Sequence, residues 1–71
     1  MQEKQFKSII EIGSFSIKTI IFSNENDAPK IVGVGKSNTQ GFDGNVVSSF
    51  DDFIDSIKKS VVQAEKQSNF I

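Results

Sequence analysis

A chain of 71 residues with neither cysteine nor histidine has to hold its fold by packing alone. Domains of this size bury only about 60% of the surface that the unfolded chain exposes. Many compensate with disulfides or a structural metal. The same two zeros exclude a zinc finger, a Cys or His nucleophile and His-dependent general base catalysis. Apolar residues make up 37% of the chain and charged residues 24%, a globular rather than a disordered balance. The length fits one small domain or a piece of a larger one.

The formal net charge is −1, from eight lysines against nine acidic residues, with no arginine. Bidentate readers of guanine or phosphate are therefore missing, and there is no basic excess for nucleic-acid binding. The longest apolar run is Ile20-Ile21-Phe22, so no transmembrane segment is expected. The opening residues lack a signal-peptide apolar stretch. A cytoplasmic location is expected, in keeping with the lack of cysteine.

The pattern along the chain predicts a flexible leader over 1–6 and a β-branched strand over about 7–12. Gly13-Ser14-Phe15 breaks that strand, and an alternating second strand follows over 16–23. So short a loop makes an antiparallel hairpin the economical reading. Polar turn formers and the only proline occupy 24–29, before a third strand over about 30–35. A long connection then leads to a helix over about 50–66, with 67–71 as a tail. Phe50, Phe53, Ile54, Ile57, Val61 and Ala64 recur at helical spacing and are expected to pack on the sheet. Ser49 with Asp52 approximates a capping box, and the acidic residues precede the lysines as the helix dipole favours.

The expected fold class is therefore α/β, a three-stranded antiparallel meander followed by one amphipathic helix. The second strand is apolar on both faces, with Ile17 and Ile21 on one and Ile20 and Phe22 on the other. One helix covers only one face. Further chain or a partner is expected to cover the other, and the chain on its own is expected to dimerise or aggregate.

Val32-Gly33-Val34-Gly35-Lys36-Ser37 ends like a Walker A loop, but the earlier glycine that loop requires is Lys30 here. A dinucleotide fingerprint fails as well, because Asn38 stands at its third glycine. Gly33 and Gly35 are better explained by close strand packing or a bulge. The segment from Ile9 to Lys18 is more informative. Its turn can aim the N–H groups of Gly13 to Phe15 and the Ser14 hydroxyl at a phosphate, with Glu11 near a metal-bound water. An ordinary turn beside a solvated Glu11 accounts for the same spacing, and on spacing alone it is preferred.

Ile10-Glu11-Ile12-Gly13-Ser14 resembles the first phosphate motif of the FtsA family of bacterial cell-division proteins, with Ser in place of the usual Thr. That family belongs to the actin-like ATPase superfamily, whose core is ribonuclease-H-like. Ile31-Val32-Gly33-Val34-Gly35-Lys36-Ser37 is similar to the family's third strand. Gly41, Val46-Val47 and the helix end Gln63-Ala64-Glu65 continue in the same order, so the resemblance runs from Ser8 to about Glu65.

The resemblance implies the opening part of a longer protein that binds ATP with Mg2+, polymerises and tethers FtsZ to the membrane. Its place would be the cytoplasmic face of the inner membrane at the division site. It also implies that Gly13, Ser14, Phe15 and Lys18 bind phosphate and that Glu11 lies near the metal shell. No residue is expected to be catalytic or a direct metal ligand. These 71 residues carry only half of the phosphate clamp, so tight nucleotide binding and catalysis by them alone are not expected. Two other readings stay open: a PilM-like pilus-assembly protein, which shares the first strands, and a stand-alone interaction module without nucleotide.

Overall fold

The computed structural model describes residues 5–25 and 28–68. Three strands, β1 (Gln5–Ile12), β2 (Ser16–Glu25) and β3 (Ala28–Asn38), precede one helix, α1 (Phe50–Ser68). The strands form a single sheet in the order β1-β2-β3, both pairs antiparallel. The meander and helix expected from the sequence are both present. Among the described residues no helix is long and apolar enough to cross a membrane.

Every element runs longer than its pattern predicts. Gln5 and Phe6, expected in the leader, belong to β1 because Asn24 and Ser23 of β2 stand opposite them. Asn24 and Glu25 in turn pair with Pro29 and Ala28, so the β2–β3 ladder continues through polar residues. Pro29 is tolerated because β3 is an edge strand. Gln67 and Ser68, expected in the tail, extend α1. The rest of the predicted leader (1–4), the rest of the tail (69–71) and turn residues 26–27 lie outside the described residues.

The core is small and partly polar. Ile17, Thr19, Ile21 and Ser23 alternate along β2 toward the helix, and all four are buried. From the other side come Ser56, Ser60 and Ala64, spaced by four on one helical ridge and likewise buried. Between them lie Gly33 and Gly35 of β3. A Cβ on Gly35 would run into the Ser60 carbonyl oxygen, and one on Gly33 into that of Ala64. Glycine is thus required by the close approach of two backbones. A register shift at Ile21/Phe22 leaves Val32 as an extra residue beside Gly33, so the expected bulge is also found.

Hydrogen bonds reinforce this seam. Thr19 Oγ1 and Ser60 Oγ lie 2.8 Å apart in the core. Removing either hydroxyl alone would strand the other, at about 1–3 kcal/mol. The Ser37 hydroxyl donates to the Ser56 carbonyl at 2.6 Å, and the Gln40 N–H donates to Ser56 Oγ at 2.9 Å. The helix also closes one edge of the sheet. Val34 and Lys36 N–H groups donate to Gln67 and Gln63 Oε1, each at 2.6 Å. Four helical residues rise about 6 Å and two strand residues about 6.5 Å, so the two glutamines match alternate strand amides. An edge strand so capped is poorly available to another chain.

The expected apolar stripe needs correction. Phe50 is 69% exposed, and Phe53, Ile54, Ile57 and Val61 are only half-buried. The line of closest approach follows the small residues, because Gly33 and Gly35 admit a backbone there and no large side chain. The apolar residues form a flank beside that line, on the side away from Gln63 and Gln67. Phe53 is further covered by Phe42, with ring centroids 4.9 Å apart. At the helix start, Ser49 Oγ accepts the Asp52 N–H at 3.3 Å, which makes Ser49 the N-cap. Its own N–H goes to the Gly41 carbonyl at 3.2 Å rather than to Asp52, so only half of the capping box forms.

The helix lies over β2 and β3 and not over β1. Ile10 and Ile12, which share the helix-bearing face by register, consequently stay exposed. The opposite face carries the rows Ile9–Ile20–Val34 and Lys7–Phe22–Ile31. Ile9, Ile31 and Val34 are exposed there, as the two-faced pattern of β2 leads one to expect.

Candidate functional site

The β1–β2 turn is closed by the Gly13 N–H, which donates to the Ser16 carbonyl at 2.9 Å. Thr39 then fixes the turn from outside. Its N–H donates to the Phe15 carbonyl at 3.0 Å, and its hydroxyl donates to the Gly13 carbonyl at 2.8 Å. Gly44 lies against Ser14, where a Cβ would come within 3.3 Å of the Ser14 Cβ. The connection after β3 therefore buttresses the turn. No sequence signal marks Thr39 for this role, since a lone threonine after a strand is commonplace.

Of the predicted phosphate-binding groups, the Gly13 N–H is used within the turn. The Ser14 and Phe15 N–H groups have no acceptor among the described residues. Ser14 is half-buried, whereas Phe15 is 88% exposed at the tip. Glu11 and Lys18 stand directly opposite each other two residues back from the turn, and Lys36 continues the row on β3. All three are exposed on the face away from the helix. The row thus holds one carboxylate beside two ammonium groups. Among the described residues no group of three or more acidic, His or Cys side chains gathers around Glu11 or elsewhere.

The Gly35-Lys36-Ser37 triplet does not form a phosphate loop. All three residues lie within β3, the Ser37 hydroxyl is committed to Ser56, and Gly35 sits beneath the helix. Such a loop needs successive free N–H groups at a helix start.

No protein-family model matches this sequence, and no curated protein matches it either. The turn has to be judged on its own chemistry. Two N–H groups with no acceptor among the described residues, and the Ser14 hydroxyl, are what this turn could offer an anion, while Lys18 and Lys36 stand on the strands that follow. A solvated surface turn has the same parts.

The connection beside this turn has its own electrostatic latch. Asp43 Oδ1 accepts the Asn45 N–H at 2.8 Å and the Val46 N–H at 2.9 Å. Gly44, at φ 102°, supplies the left-handed residue that the turn needs. The bond from Val46, followed by that from Asn45, holds the Asp43 carboxyl below its ordinary 3.8. A depressed folded-state value means that this contribution is complete above 3.8 and is lost as pH falls through the lower folded value. An NMR titration should therefore show the Asn45 and Val46 amides moving with a midpoint below 3.8. A midpoint at or above it would mean that the latch is not formed in solution.

Proposed function

We propose that the chain is the opening segment of an FtsA-like protein, with the Gly13–Phe15 turn as one half of a phosphate clamp. The observation that carries this reading is the tethered turn: Thr39 holds the Gly13 and Phe15 carbonyls while the Ser14 and Phe15 N–H groups have no acceptor among the described residues. The order of strands, turn and helix along the chain supports it as well. On this reading Ser14 and the two N–H groups hold phosphate oxygens, Lys18 offsets their charge, and Glu11 stands near a metal-bound water. ATP with Mg2+ would supply the nucleotide that the complete protein needs to polymerise and to tether FtsZ at the membrane. The actin-like core, the septal location and the FtsZ partnership belong to this proposal.

Half a clamp binds weakly, so the expected result with Mg-ATP is no micromolar binding by calorimetry. In an NMR titration with millimolar Mg-ATP, shifts should gather at Ser14, Phe15 and Lys18 and shrink in Lys18→Ala. Shifts that are absent, or scattered over other lysines, would leave the turn an ordinary one. A second reading, the stand-alone interaction module, is favoured by the apolar rows left open on the sheet. A PilM-like protein would share the turn, and its longer chain would lack a terminal amphipathic membrane helix.

A further inference from the structure

The two edges of the sheet are treated differently. That of β3 is capped by Gln63 and Gln67. Among the described residues no strand or helix pairs with the outer edge of β1. The Gly13–Ser16 bond sets the alternation along the β1–β2 ladder. Residues 7, 9 and 11 direct their backbone groups to β2, and residues 8, 10 and 12 direct theirs to the open edge. Lys7 and Glu11 are the two charges on β1, of opposite sign, and no proline or bulge interrupts the strand. The usual protection of an edge strand is therefore slight.

We propose that β1 pairs antiparallel with β1 of a second copy, about a two-fold axis through Ile9, giving a six-stranded sheet with both helices on one side. The charges select this register. Keeping both helices on the same face requires odd-numbered residues to meet odd-numbered ones. Centring on Ile9 sets Lys7 opposite Glu11 of the second copy, and Glu11 opposite Lys7. Moving the axis by one residue leaves one charge facing Ile9 and the other facing an uncharged residue at the end of the strand, Gln5 or Gly13. Moving it by two sets Lys7 against Lys7 or Glu11 against Glu11. The same register brings Ile9 against Ile9 and Ser8 against Ile10, and the groups at 8 and 10 then exchange the hydrogen bonds that the open edge offers. The arrangement is isologous and closes, so it makes a dimer and not a fibre. It stands on the pattern of β1 and does not depend on the phosphate reading.

Sedimentation equilibrium of the 71-residue chain, with sheet and helix content followed by circular dichroism, tests the pairing. A monomer–dimer equilibrium is expected. Lys7→Glu should weaken it roughly tenfold by setting like charges opposite at two symmetric sites. Adding Glu11→Lys should restore it. The chain has no cysteine of its own, so Ile9→Cys gives a single probe. A non-hydrogen-bonded pair brings Cα atoms to about 4.5 Å, within disulfide reach, and air oxidation should yield a covalent dimer. Val34→Cys, on the capped edge, should not. A folded monomer at high micromolar concentration would overturn the proposal. So would a dimer indifferent to Lys7→Glu, which would place the contact on the open sheet face instead.

Discussion

Gly35→Ala is expected to detach the helix from the sheet, although it adds one carbon. The new Cβ would strike the Ser60 carbonyl oxygen, with the Ala64 nitrogen 2.7 Å and the Ser60 carbonyl carbon 3.0 Å away. All three obstacles are backbone, so no side chain can turn aside. The helix would have to lift, and with it go the Thr19–Ser60 bond and the Gln63 cap on Lys36. Overpacking alone costs about 1–3 kcal/mol, and each lost hydrogen bond adds roughly 1. A domain of this length has a total stability of only about 4–11 kcal/mol. A loss of about 3 kcal/mol or more is expected, read as a fall in the urea midpoint by circular dichroism. Gly13→Ala, whose Cβ would come no closer than 3.1 Å to the Ser16 carbonyl oxygen, serves as the milder comparison. Equal midpoints for the two variants would mean that the helix seats less closely than described.

The strands and the helix were legible because their signals are local. Alternation marks β2, and spacing by three and four marks the helix. Which helical face meets the sheet was only partly legible from hydrophobicity, since Ala64 of the expected stripe is buried there but the other two buried residues are Ser56 and Ser60. The signal for that face was present in another form: small residues at Gly33 and Gly35, spaced by two, answer small residues at Ser56, Ser60 and Ala64, spaced by four. Reading either row alone suggests loops or caps. Reading both together gives a close seam between strand and helix. The turn at Gly13–Phe15 was placed correctly, but Thr39, which holds it, comes from a segment 24 residues beyond Phe15 in the chain. A contact of that span leaves no periodic trace in the sequence. Gln63 and Gln67 were invisible for a related reason, since glutamine on a helix flank ordinarily faces water and here completes the edge of β3.

The second large effect is expected at Ile17. Its side chain is wholly buried (0% exposed), the most enclosed large apolar group among the described residues. Truncation to alanine removes its transfer free energy and leaves a cavity, together costing about 2–5 kcal/mol. Collapse around that cavity is hindered because Thr19 and Ser60 are held by their mutual hydrogen bond. The upper half of the range is therefore expected. Ile57 makes the informative contrast. It stands on the periodic stripe and would be the natural choice for a core position, yet it is only half-buried on the helix flank. Less area leaves water on truncation there, and no closed cavity forms. Ile57→Ala is expected to cost roughly half as much as Ile17→Ala. Urea unfolding of the two variants at one concentration, low enough to limit association, gives the comparison directly. A larger loss at Ile57 would mean that the helix is rolled toward its apolar flank in solution, with the small-residue seam open.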